Sequence, residues 1–118
     1  MKKIYHLASC TTCQRILKQW KPNDTVKLQD IKTEKITSAQ LDEMAKLAGN
    51  YESLFSRVAL KFRSMGLNKK KLEEKDYRKL ILEEYTFLKR PVLIINSKIF
   101  IGNSKKNVTA AEETIKKG

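Results

Sequence analysis

Apolar and polar positions along the chain switch between two rhythms, one of period two and one of period three to four. The opening "KKIYHLA" (2–8) is rich in β-forming residues and ends in small ones, which predicts a first strand. From Cys13 the apolar positions are Cys13, Ile16, Leu17 and Trp20, the i, i+3, i+4, i+7 spacing of one helical face. Ser9 is placed to cap this helix, and Pro22 with Asn23-Asp24 to stop it. "TVKLQDI" (25–31) returns to alternation through Val26, Leu28 and Ile31 and predicts a second strand.

The middle of the chain is helical in pattern. Thr37-Ser38-Ala39-Gln40 has the form of a capping box, and Leu41, Met44, Ala45 and Ala48 share a face ahead of Gly49-Asn50. Leu54, Phe55, Val58, Ala59 and Phe62 are helix-spaced with Gly66 as a stop. Tyr77, Leu80, Ile81, Tyr85 and Leu88 predict a third helix. "RPVLII" (90–95) and "KIFIG" (98–102) then read as a hairpin about Asn96-Ser97, with Asn where positive φ is tolerated. A last amphipathic helix spans 104–117, with Val108, Ala111 and Ile115 apolar and Thr109-x-x-Glu112 as an internal cap. No repeat or linker interrupts the pattern, so residues 1–118 read as one domain with a helical insertion at about 37–88. The order β-α-β, helices, β-β-α is that of an α/β, thioredoxin-like (glutaredoxin-like) domain. Such a domain has a mixed four-stranded sheet with helices on both faces.

Composition narrows the class. With 41% hydrophobic and 32% charged residues, the chain has the make-up of an ordinary globular protein. No apolar run approaches the roughly 18 residues of a membrane span. The N-terminus carries neither a long apolar stretch nor a small-residue cleavage site, so the expected location is the cytoplasm. Thiols are kept reduced there, and a close cysteine pair is expected to be catalytic, redox-sensing or metal-binding rather than a structural crosslink. The net charge of +12 favours anionic partners. It is densest at Lys69-Lys70-Lys71 and at Lys75, Arg78 and Lys79. This reads first as a solvated helical face, because no nucleic-acid recognition motif accompanies it. Neither nucleic acid nor a membrane is an expected partner.

The candidate chemistry lies in "CTTC". Cys10 and Cys13 are the only cysteines, and Cys10 falls where the first strand hands over to the first helix. A sulfur there meets unpaired backbone N–H groups and the positive end of the helix dipole, which favour the thiolate. Cys13, one turn later, is placed to attack a mixed disulfide or a sulfenic acid formed at Cys10. The same N–H groups would accept an oxyanion. Two plainer readings compete: Cys13 shares its face with Ile16, Leu17 and Trp20 and could be a small core residue, and the pair could be half of a metal site. Zinc needs more ligands than two cysteines and a single histidine offer, and a CxxC after a strand in a β-α-β context points to redox chemistry. His6 lies on the first strand, four residues before Cys10. Arg90 precedes Pro91 at the mouth of the third strand, where it could hold an anion by a charge-assisted contact.

"YHLASCTTC", the helical insert and "KRPVLIINSKIFIG" together resemble the arsenate reductase (ArsC) family and its Spx-type regulator relatives, over nearly the whole chain. The resemblance implies a thioredoxin-like fold, with Pro91 a cis-proline facing the active cysteine. It places the family's catalytic cysteine on Cys10, its nearby histidine on His6 and an anion-holding arginine on Arg90. Two further family arginines fall on Ser56, with Arg57 next to it as a substitute, and near Gly102-Asn103, where there is none. The resemblance thus implies a thiol oxidoreductase in which Cys10 attacks and Cys13 resolves. It takes a small anionic or thiol substrate, with no bound cofactor and with glutathione or a glutaredoxin as reductant. Its CxxC also resembles Spx-type redox switches, whose partner is RNA polymerase.

Overall fold

In the computed structural model, which describes residues 2–117, the chain divides into two units, residues 2–35 with 90–117 and residues 36–89. Along the chain the elements are β1 (Lys2–His6), α1 (Thr11–Trp20), β2 (Lys27–Asp30), α2 (Ser38–Ala48), α3 (Leu60–Ser64), α4 (Glu74–Glu83), β3 (Val92–Ile95), β4 (Lys98–Ile101) and α5 (Lys105–Lys117).

The first unit holds the sheet, in the order β2-β1-β3-β4. Strand β1 is parallel to β2 and antiparallel to β3, which is antiparallel to β4. A parallel pair needs a crossover, and α1 supplies it between β1 and β2. β3 and β4 form the hairpin read from the sequence, with Ile95 opposite Lys98 and Asn96 at φ 55°. On one face of the sheet, Ile4, Leu93 and Ile95 pack with Ile16, Trp20, Val26, Val108 and Ala111. The Trp20 Nε1–H donates to the Val108 carbonyl at 3.0 Å, so the largest side chain of this core also joins α1 to α5.

Three local expectations change. The N-cap of α1 is Cys10, not Ser9, because the Cys10 N–H turns back to the Leu7 carbonyl (3.0 Å) in extended geometry, φ −85° and ψ 119°. In β2 the buried side chain is Gln29, at 2% exposure, while Leu28 is 51% exposed. The Gln29 amide escapes the cost of burial by donating to the Glu34 carbonyl at 3.0 Å. Helix α5 runs unbroken through Thr109 and Glu112, so no internal cap forms. It starts where expected, at Ser104, whose hydroxyl accepts the Asn107 N–H at 3.3 Å.

In the second unit, the capping box of α2 forms as read: Gln40 N–H donates to Thr37 Oγ1 and Thr37 N–H to Gln40 Oε1, both at 3.0 Å. Gly49, at φ 100°, closes the helix. The helix expected over Leu54–Phe62 does not form. Phe55 is bridged to Leu88, the Ser56 N–H donates to the Phe87 carbonyl (2.6 Å) and the Lys89 N–H to the Leu54 carbonyl (2.8 Å). Those backbone groups pair across the unit instead of along a helix, leaving only the five residues of α3. The same pairing ends α4 at Glu83, before Tyr85 and Leu88, and buries Phe87 against Phe55 at a ring separation of 5.0 Å.

Candidate functional site

The junction of β1 and α1 is built by short-range hydrogen bonds. Cys10 N–H donates to the Leu7 carbonyl and Gln14 N–H to the Cys10 carbonyl, both at 3.0 Å. The Gln14 side-chain amide reaches back to the Ala8 carbonyl at 2.7 Å, and the Ala8 N–H donates to Asp30 Oδ1 at 3.4 Å. A turn of four residues is therefore tied at both ends, to α1 and to the end of β2.

The two thiols in this turn are unlike. Cys10 is partly exposed and Cys13 is 1% exposed, its sulfur among the core residues of α1. Burial raises the Cys10 pKa, but the backbone N–H of Cys13, the Cys13 thiol, the Thr12 N–H and the Arg90 charge together outweigh it. The net result is a pKa below the ordinary thiol value. For Cys13 burial dominates. The Leu7 N–H and the Arg90 charge pull down, but burial, the neighbouring Cys10 charge and the hydrogen bond to Cys10 leave it pushed up to about 11. At neutral pH, Cys13 is thus a thiol that donates its S–H to Cys10, and Cys10 is the sulfur that can lose its proton. One residue pair holds a nucleophile and a protonated neighbour.

Arg90 immediately precedes a cis peptide bond at Pro91, at the entry to β3, and its charge acts on both sulfurs. His6 stands opposite Asp30 in the parallel register, with its Nδ1 buried and without a hydrogen-bond partner among the described residues. Burial lowers its pKa, only partly countered by the Asp30 charge. The Asp30 carboxyl is held below its ordinary value by the Lys32 N–H, against some burial, with further help from the Ala8 N–H and from His6. Among the described residues no hydrogen bond joins His6 to either cysteine. Sequence reasoning missed Asp30 and Gln14. Gln14 has a local signal, since it lies one turn beyond Cys10 on α1, whereas Asp30 enters only through the pairing of β1 with β2.

Arg57 belongs to the second unit, where its guanidinium already has partners. It donates to Glu52 Oε2 at 2.9 Å and to the Tyr77 hydroxyl at 2.8 Å, and lies over the Tyr77 ring. Ser56 is buried beside it. The chain thus gathers Cys10, Cys13, Arg90 and the His6–Asp30 pair in one unit and places Arg57 in the other. Among the described residues no three of His, Cys, Asp and Glu group to hold a metal ion, and no helix is long and apolar enough to cross a membrane.

The profile of the ArsC family matches residues 5–111. No curated protein matches the chain. Among solved structures, the fold is similar to that of the YffB protein, with a TM-score of 0.77 and 23% identity over 94% of this chain and 98% of that one. It is similar to an arsenate reductase (ArsC) related protein from Brucella melitensis, at 0.71 and 24% over 92% of each chain. It is also similar to an arsenate reductase from Vibrio cholerae, at 0.76 and 14% over 92% of this chain and 95% of that one. The mixed four-stranded sheet is therefore the thioredoxin-like arrangement that the element order anticipates.

Proposed function

The chain belongs to the ArsC family, and we propose that it is a thiol-dependent, arsenate-reductase-like oxidoreductase in which Cys10 is the nucleophile and Cys13 the resolving thiol. The observation that carries this reading is the unlike placement of the two sulfurs in one turn, Cys10 partly exposed at the N-cap of α1 and Cys13 buried beneath it, which lowers the pKa of the first and pushes the second up to about 11. A resolving thiol should stay protonated until the first step is over. Burial holds Cys13 in that state.

With a disulfide substrate, the Cys10 thiolate attacks one sulfur, the substrate S–S bond breaks, and one thiolate leaves. The Cys13 thiol then gives its proton to solvent, and its sulfur attacks Cys10. The second substrate thiolate is released and the Cys10–Cys13 disulfide closes. Two electrons have passed to the substrate, and two equivalents of a thiol such as glutathione, or a glutaredoxin, return them. With an oxyanion such as arsenate, Cys10 forms a sulfur–arsenic bond with loss of water. Thiol attack on that sulfur leaves the electron pair on arsenic, which departs as arsenite. Arg90 supplies the positive charge for an anionic substrate in either case.

The test is turnover of arsenate and of a small disulfide with glutathione and glutaredoxin present. Loss of both activities in Cys10→Ser, with a mixed disulfide of one added thiol trapped in Cys13→Ser and seen by intact mass, is the expected result. Thiol reactivity and disulfide formation unchanged in Cys10→Ser would overturn the assignment. A reversible Cys10–Cys13 disulfide without turnover of any substrate would make the protein a redox sensor instead.

A further inference from the structure

The second unit carries a surface that its own packing leaves unused. Helix α3 has no buried residue, and it is anchored by the Phe62 ring against Phe55 at 5.9 Å and by the Lys61–Glu84 ion pair at 2.7 Å. Around it, Val58 is 91% exposed, Leu60 90% and Met65 47%, three of the four large apolar side chains that stand exposed among the described residues. Residues 57–71 contain six cations and no acid. Arg57 and Lys61 are paired within the unit, but Arg63, Lys69, Lys70 and Lys71 are exposed without an ion-pair partner among the described residues. Next in sequence lies a cleft of about 420 Å³ whose apolar lining includes Met65, Leu67, Leu72 and Leu80. Lys70, Lys71 and Lys79 stand on it, against Asp76 and Glu83. Asp76 Oδ2 is already occupied by the Glu73 N–H at 2.8 Å.

We infer that Val58–Lys79 of the second unit forms a docking surface for an acidic, leucine-bearing segment of a protein partner, with an apolar side chain seated in the cleft and carboxylates met by Arg63, Lys70, Lys71 and Lys79. Exposed Met65 lines the concave apolar pocket, and exposed Val58 and Leu60 precede it by a few residues along the chain, a combination that matches a peptide's side-chain anchors. A bilayer offers no protrusion to fill the cleft. A single-stranded nucleic acid would call for exposed aromatic rings to stack on, and Phe62 is turned inward against Phe55. The unpaired lysines select for negative charge and speed its arrival.

A fluorescein-labelled amphipathic peptide, with leucine at i, i+3, i+4 and i+7 and glutamate elsewhere, tests this by anisotropy on the full chain. Saturable binding is expected. It should weaken about tenfold or more, or ~1.4 kcal/mol, both in Lys70→Glu/Lys71→Glu/Lys79→Glu and in Val58→Ser/Leu60→Ser. These positions are exposed, so far-UV circular dichroism and the rate of Cys10 alkylation by neutral iodoacetamide should stay as in the wild type. Absence of binding would overturn the inference, as would binding indifferent to the serine pair. So would tighter binding, through the same lysines, of phosphatidylglycerol vesicles or of polyuridylate, which would assign the patch to a membrane or to RNA.

Discussion

Two residues separate Cys10 from Cys13, and their protons differ because one sulfur meets backbone N–H groups and the other meets the core. The Cys13 S–H is itself one of the donors that favour the Cys10 thiolate. Cys13→Ala should therefore raise the midpoint of Cys10 alkylation against pH. Cys13→Ser, which keeps an O–H donor, should leave it nearer the wild type, and equal midpoints in the two variants would remove Cys13 from the activation. The position of Cys10 at a strand-to-helix junction was legible in the sequence, since it rests on local pattern alone. So was the apolar face of Cys13. The two readings of that residue, packing and chemistry, turn out to need each other, because burial is what keeps its proton. His6 offers a second residue-scale test. Its pKa lies below the ordinary 6.5, so between those values the unfolded chain binds more protons than the folded one. Stability contributed by neutral His6 is complete above about pH 6.5 and is lost as the pH falls through the folded value. Urea midpoints of the wild type should drop over that window, and His6→Gln should flatten the drop. The Asp30 carboxyl, held below 3.8, acts only at lower pH.

At the scale of elements, what the sequence made legible follows the range of the forces. Helices α1, α2 and α5 were readable because their spacing is local and α2 is closed by its own Thr37, Gln40 and Gly49. The stretch from Leu54 to Phe62 has the same helical spacing, yet its backbone is taken by Phe87, Leu88 and Lys89, some thirty residues on. Hydrogen bonds of that range leave no periodic trace in a single sequence. The side chains still find their places, since Phe55, Tyr77 and Phe87 become one aromatic cluster. Gln29 was missed for a related reason: its buried amide depends on the Glu34 carbonyl, in the loop beyond the strand. In the sheet-bearing unit, α1 and α5 meet at Trp20, fully packed and hydrogen-bonded to the Val108 carbonyl. Trp20→Phe removes the donor and part of the packed volume. It should cost about 1–3 kcal/mol in chemical denaturation, read by far-UV circular dichroism because the chain has no second tryptophan. A loss under a few tenths of a kcal/mol would mean the joint between α1 and α5 is carried by other contacts.

For the whole molecule the dominant electrostatic fact is the charge of +12, against ion pairs whose basic partners are mostly exposed. Exposed pairs contribute little, while like charges spread along the chain repel at distances that salt screens. Salt should therefore act in two opposite directions. Screening the self-repulsion should raise the melting temperature between low and moderate sodium chloride, on the order of a few degrees for a domain of this size. The same screening should slow the encounter of Cys10 with an anionic disulfide, because the positive field that concentrates such a reagent near the thiolate is shortened. A dianionic aromatic disulfide and the neutral 2-hydroxyethyl disulfide, reacted with wild-type protein over the same salt series, separate this from any change in the thiol itself. The anionic reagent should lose rate steeply and the neutral one hardly at all. If both fell together, salt would be acting on the pKa of Cys10. If neither fell, the charge would lie too far from the cysteine to select substrates. Arg90→Met divides the remaining credit, since this residue acts on both sulfurs. The variant should raise the alkylation midpoint of Cys10 while leaving most of the salt slope, which belongs to the other cations of the molecule.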